Sequence, residues 1–414
     1  MTLLAALLLA PPLAPQATDT WPEYRGPNHD GRAEEAAVPL RWSEEEAVRW
    51  KTPVPGRAWS SPVIWGDQIW FTTASNDGHR MGAMCVSLET GEVVHALDLL
   101  ENEEPEERNS LNSYASPSPS IEDGRLYVHF GTYGTFAIDT ESAEVVWERT
   151  DLHCDHMEGP GSSPLLHGEH LYLNYDGGDV QFVVALDKDS GETVWTTERE
   201  ADLERFAADL RKAYSTPLMI EVDGAEQLIS SGAQATVAYD PVDGSELWRV
   251  HHGGFSMSSR PVLGDGMIYL NTGFMRPELW AVRLGGEGLL DDDQVAWKRN
   301  RAIPTMPSPV LVDGMLFLVD DGGIASCLDA LSGEELWRKR VGGQSCASPV
   351  YAGGRIYFFD RDGKTTVVAP EPDYRELATN ELDEGFMASP AIVGDALILR
   401  TSSHLYRIEA PAER

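Results

Sequence analysis

Apolar residues along this chain fall in short runs that stop at Gly or Asp-Gly turns. Residues 308–337 show the unit, SPVLVDGMLFLVDDGGIASCLDALSGEELW: a Ser-Pro lead-in, apolar runs separated by turns, and a closing Trp. Eight segments open in this way, with a small polar residue or Arg before Pro62, Pro119, Pro164, Pro217, Pro261, Pro309, Pro349 and Pro390. The Pro-to-Pro spacing of 40 to 57 residues accommodates four short strands with their turns. A period of that length with that texture predicts the blades of a β-propeller.

A second pattern closes most repeats, A-x-D-x-x-S/T-G-x-x-x-W, as in ALDKDSGETVW, AYDPVDGSELW, AIDTESAEVVW and CLDALSGEELW. The Asp can hydrogen-bond the backbone of the following turn, Gly supplies a left-handed turn residue, and the Trp can pack on a neighbouring blade. Trp147, Trp195, Trp248, Trp297 and Trp337 hold the closing position. The first repeat has His95 there and the seventh ends without a Trp, while an acidic insertion, GGEGLLDDDQ, precedes Trp297. The eighth repeat lacks an outer strand of its own. AVRWKTPV, residues 47–54, is expected to supply it, with Trp50 at the docking position, and so to close the ring and remove two exposed edges. The expected fold is therefore all-β: an eight-bladed propeller of four-stranded antiparallel blades over residues 47–410, preceded by an extension over 18–46.

The closing pattern resembles the tryptophan-docking motif of the pyrroloquinoline-quinone (PQQ)-like propellers, a superfamily that includes quinoprotein alcohol dehydrogenases and BamB. The opening WPEYRGPNHDG, together with RWKTPVPGRAWSSPV, FGTYGTFAIDT, RKAYSTP and DGKTTVVAP, is similar to exported bacterial PQQ-binding-like repeat proteins. The resemblance implies a periplasmic or secreted protein acting as a binding scaffold of the cell envelope, as BamB-like members do. The alternative that it implies is a quinoprotein-type oxidoreductase holding PQQ and calcium at the channel mouth. The dehydrogenases of the superfamily use an adjacent Cys pair beside the cofactor. Cys85, Cys154, Cys327 and Cys346 are all separated, and no calcium set or catalytic Asp can be assigned.

Composition narrows the partners. With 42% hydrophobic and 24% charged residues among 414, the chain can bury a large core. A net charge of −35 argues against nucleic acid and anionic membranes as partners. The apolar stretch from Leu3 to Ala10 is too short to span a bilayer and reads as the core of a signal peptide over residues 1–17, so a soluble exported monomer is expected.

Candidate chemistry lies in the connections between blades. Four of them, residues 51–61, 249–260, 298–308 and 339–348, contain no carboxylate but several Lys and Arg, whereas other connections are acidic. This predicts a polarised mouth whose basic arc binds an anionic ligand or a protein partner. The competing reading makes the basic residues just after each Trp outer-strand residues that discourage edge pairing. Arg57, Arg260 and Arg301, nearer the inner strands, are the candidate ligand contacts, joined by His156, Lys212 and His252. His153, Cys154 and His156 in LHCDHMEGPGSSP are weak metal-ligand candidates, since consecutive loop residues rarely all face one ion.

Overall fold

The computed structural model describes residues 20–199 and 201–410, without the side chains of 201 and 202. The expected signal peptide lies outside the described residues. Eight sheets follow one another around a ring, and helix among the described residues is confined to 3-10 turns of three to five residues. Blades one to seven begin at Val63, Ser120, Leu165, Leu218, Val262, Val310 and Val350, and blade eight at Ala391. In each, a three- to five-residue inner strand starts next to the lead-in Pro and leads outward through antiparallel neighbours. The fourth strand of blade eight is Val48–Pro53, which pairs antiparallel with His404–Ile408.

The closing motif has a consistent register. Its first, small residue lies opposite the Trp across the two outer strands, as in Ala137↔Trp147, Ala185↔Trp195 and Cys327↔Trp337, and the register shifts immediately afterwards. A bulge here turns the outer strand and leaves room for the indole. The Trp then lies on the turn of the next blade. Trp147, Trp195, Trp297 and Trp337 donate their Nε1–H to the carbonyls of Lys188, Pro241, Ala330 and Glu371 at 2.8–3.1 Å, and Trp50 donates to Leu88 O at 2.9 Å. Beneath Trp195 the turn residue must be Gly: at Gly244, φ is +73° and a Cβ would lie 2.4 Å from the ring.

Trp248 departs from the series. The acidic insertion of blade five sends Gly288–Leu289 back to pair in parallel with the outer strand of blade four, and Trp248 Nε1 donates instead to Gln227 Oε1 within its own blade.

The extension crosses the channel. Thr20–Trp21 adds to the inner edge of blade one, at Trp65 and Ile64. Arg32–Ala33 adds in parallel to the inner edge of blade seven. The chain between them bridges the ring just below the lead-in Pro residues, where its Pro22 carbonyl accepts the Ile121 N–H. Its anchoring side chains are buried: Trp21, Glu23 and Arg25 are each 5% exposed or less. The Arg25 guanidinium donates to the carbonyls of Pro349, Pro309 and Asp30 at 2.7–3.0 Å. Gly31, at φ +76°, is needed because a Cβ would lie 2.5 Å from that guanidinium. Beyond it, Trp42 stacks on Tyr357 and its backbone N–H donates to Asn380 Oδ1, so the extension joins the core under blades seven and eight.

Candidate functional site: a blind central well

The residue before each lead-in Pro lines the channel, and its chemistry explains the Ser-Pro repeat. The N–H of Ser61 donates to Ser118 Oγ, that of Ser118 to Ser163 Oγ, and that of Ser163 to Thr216 Oγ1, at 2.8–3.1 Å. On the other side the N–H groups of Arg260, Ser308 and Ser348 donate to Ser308, Ser348 and Ser389 Oγ, each at 2.9 Å. Each hydroxyl thus satisfies a backbone donor of the preceding blade, which a buried channel wall requires. Tyr24 rises from the bridging extension to form the floor, its hydroxyl hydrogen-bonded to Ser348 Oγ at 2.9 Å and Ser308 Oγ at 3.2 Å.

Above this belt the channel opens into a cavity of ≈510 Å³. Its rim carries Trp59, Leu111, Tyr214, Phe255, Phe274 and Met387, with Phe274 54% and Leu111 39% exposed. The charged groups of the lining are two carboxylates and one ammonium, and they are bound to one another. Lys212 Nζ lies 3.0 Å from Glu158 Oε1 and also contacts Asp209. Burial works against the Lys212 ammonium, but hydrogen bonds to these carboxylates outweigh it and raise its pKa. Glu158 is held below the usual range by a hydrogen bond from Asn109 and by Lys212.

Of the six candidate ligand contacts, Lys212 alone lines this well. Arg260 is a correction. It occupies the Ser position of its repeat, but its guanidinium turns toward the extension and is fully engaged there, by Pro217 O at 2.7 and 3.0 Å, Glu23 Oε1 at 2.7 Å and Tyr24 O at 2.8 Å. His156 is also internal. Its Nε2 accepts the Thr132 N–H, its carbonyl accepts the Tyr214 hydroxyl, and burial depresses its pKa to about 4. His252 lies off the well against Trp280, its Nδ1 accepting the Gly254 N–H, and burial lowers its pKa to about 3. Arg301 is exposed outside the lining. Arg57 lines a neighbouring cavity.

The basic arc does not line the well. Lys51, Arg249, Lys298, Lys339 and Arg340 all lie on outer strands, the first three paired with Glu44, Glu246 and Asp292. Of the metal candidates, Cys154 and His156 are in contact, Sγ lying 3.5 Å from Nδ1, but the three form no ligand set. His153 Nδ1 faces Thr132, His156 Nε2 is occupied, and burial raises the Cys154 thiol well above its usual pKa. Among the described residues no group of three His, Cys, Asp or Glu side chains could hold an ion. A Ser403–His404–Glu384 contact occurs in the hairpin of blade eight. There the serine donates to Glu384, whose carboxyl stays near pKa 2 despite some burial because Ser403 and Thr401 bond it, so no activated nucleophile results.

The residues that sequence reasoning passed over are Tyr24, Trp59, Asn109 and Phe274. Phe274 and Met275 sit in the hairpin NTGFMR, where exposed apolar residues in a turn were the available signal.

A family model described as outer membrane protein assembly factor BamB matches residues 84–197, 181–283 and 276–410. BamB of Yersinia pestis is 22% identical over 270 residues, covering 52% of this chain and 67% of the relative. BamB of Salmonella typhimurium is 22% identical over 278 residues, covering 55% and 69%. Among solved structures, BamB from Moraxella catarrhalis superposes with a TM-score of 0.61 at 13% identity, covering 87% of this chain and 99% of the other. The quinohemoprotein alcohol dehydrogenase from Comamonas testosteroni gives 0.69 at 10% identity, covering 96% and 82%. Identities this low carry the fold and nothing finer.

Proposed function

The chain belongs to the BamB-like family of PQQ-like β-propeller repeat proteins, and from that premise we propose that it works by binding, as a protein-docking scaffold of the cell envelope. The observation that carries the reading is the blind well. Its rim is aromatic and aliphatic, its floor is a tyrosine of the same chain, and its one ammonium is bound to both of its carboxylates. Such a surface offers desolvation energy to an inserted apolar side chain and no activated group for chemistry. The relatives are named as outer membrane protein assembly factors, which supports a role at the envelope. No helix among the described residues is long and apolar enough to cross a membrane.

The quinoprotein alternative draws on the fold shared with alcohol dehydrogenases. The residues present do not fit its cofactor. PQQ is a polycarboxylate, and the one ammonium of the well is already bound to two carboxylates. All four cysteines are free and separated in sequence, so the adjacent pair used by the dehydrogenases is missing.

Photo-crosslinking residues introduced at Phe274 or Leu111 test the reading in intact cells, with Val242, 73% exposed in the turn Asp240–Gly244 away from the mouth, as the comparison. A discrete protein adduct from the first two and none from the third is the expected result. Equal adducts at all three positions, or none at any, would refute docking at the mouth.

A further inference from the structure

Beside the well, where blades seven, eight and one meet, a second cavity of ≈350 Å³ opens to the same face. Two guanidiniums line it, Arg57 from the lead-in of blade one and Arg361 from a hairpin of blade seven. Around them are the polar residues Asn76, Ser110 and Ser402, with Trp59 forming an apolar wall. None of the lining residues carries a carboxyl group.

A third guanidinium, Arg108, stands behind Arg57. The hydrogen-bond acceptors of all three are neutral: Ser110 O for Arg57, the carbonyls of Asn109, Asn112 and Asn76 for Arg108, and Gln344 Oε1 for Arg361. The Nε–H groups of Arg57 and Arg108 are buried and have no partner. Burial lowers the pKa of Arg57, and repulsion from Arg108 and Arg361 lowers it further. In a chain with 67 acidic and 32 basic residues, three guanidiniums gathered without a carboxylate form an uncompensated positive site.

We propose that this cavity is an oxyanion-binding site, in which Arg57 and Arg361 grip a carboxylate or phosphate group while the ligand's apolar body lies against Trp59. Guanidiniums match the planar and tetrahedral oxygens of both groups, and an oxyanion between them relieves their mutual repulsion. The Arg57 guanidinium already stands 5.2 Å from the Trp59 ring, which orders it for that contact. The cavity shares Trp59, Leu111 and Met387 with the rim of the central well, but its guanidiniums lie outside the well, and small-probe binding to them is read without a docked protein.

Calorimetric titration of the full chain with benzoate and with phenylphosphate, at low ionic strength, tests the site and tells the two oxyanions apart. Saturable one-to-one binding of at least one probe is expected, weakened about tenfold or more by Arg57→Gln and by Arg361→Gln. Arg375→Gln, which removes an exposed pair with Glu371, should leave the affinity unchanged. Should either lining variant fail to fold, the exposed Ser402→Asp places a competing carboxylate in the cavity and should abolish binding. No saturable heat with either probe, or equal affinity in the lining variants that fold, would overturn the proposal.

Discussion

The pair formed by Glu23 and Arg260 joins the extension to the ring, 237 residues apart in sequence, and its removal is a sharp test of how the channel is closed. The side chains are 6% and 0% exposed and meet at 2.7 Å. Glu23→Ala leaves Arg260 buried, with only the Pro217 and Tyr24 carbonyls as acceptors. Arg260→Ala leaves Glu23 buried beside His29 alone. Breaking a buried ion pair from one side costs about 3–5 kcal/mol, because the remaining charge keeps its desolvation penalty. Removing both partners avoids that penalty, so the double variant should be less destabilised than the sum of the singles by about 2–3 kcal/mol. Urea unfolding of the three variants measures this from the midpoints at constant slope. Additivity within about 0.5 kcal/mol would mean that the two residues do not interact, and the account of the plug would fall. The acid limb is a second check. Burial raises the Glu23 pKa, but the charges of His29 and Arg260 outweigh this and hold it below its ordinary value. A carboxyl lowered on folding stabilises above its unfolded pKa, and that stabilisation is lost as pH falls through the folded value. The wild-type protein should therefore lose more stability on acidification than Glu23→Ala.

Other perturbations probe the rest of the ring. Trp195→Ala removes an indole seated on Gly244 and bonded to Pro241 O, and should cost about 3–5 kcal/mol in urea unfolding; a loss below about 1 kcal/mol would deny the docking any role in stability. His129 and His156 are buried neutral, with pKa values lowered to about 3 and about 4, so the unfolded chain binds more protons below about pH 6.5. Stability should fall as pH drops from about 6.5 toward 4, by up to about 1.4 kcal/mol per unit for each histidine, and His156→Gln should make that fall shallower; an unchanged slope would contradict the assignment. Calorimetric titration with PQQ plus calcium should give no binding that survives high salt, since a carboxylate held only at the guanidiniums of the neighbouring cavity is screened away, whereas one-to-one binding that survives high salt would restore the oxidoreductase reading.

The propeller was legible because its information is local and periodic. Each Ser-Pro lead-in, apolar run and Asp-x-x-Ser/Thr-Gly turn specifies its own blade, and the opposition of Ala185 to Trp195 repeats a short-range pattern. Trp248 shows where that logic stops: its motif keeps Asp240, Gly244 and the Trp, yet an insertion in the following repeat diverts its hydrogen bond to Gln227. The same holds for the mouth. Arg260 was read as a ligand contact because it is basic and adjacent to an inner strand. The contrary signal was that it stands where seven other repeats carry Ser or Thr, but nothing nearby named Glu23 as its partner. Arg361 lies in a hairpin turn with no motif around it, and only the approach of blade seven to blade one places it beside Arg57. The sequence by itself determined the blade, its repeat and the need for an outer strand in the last one, since strand, turn and bulge preferences act over a few residues. Tertiary structure alone decided that the extension bridges the channel, which charges are spent inside and which remain free. Those outcomes depend on side chains brought together across hundreds of residues, where desolvation and pairing are settled by distance in space.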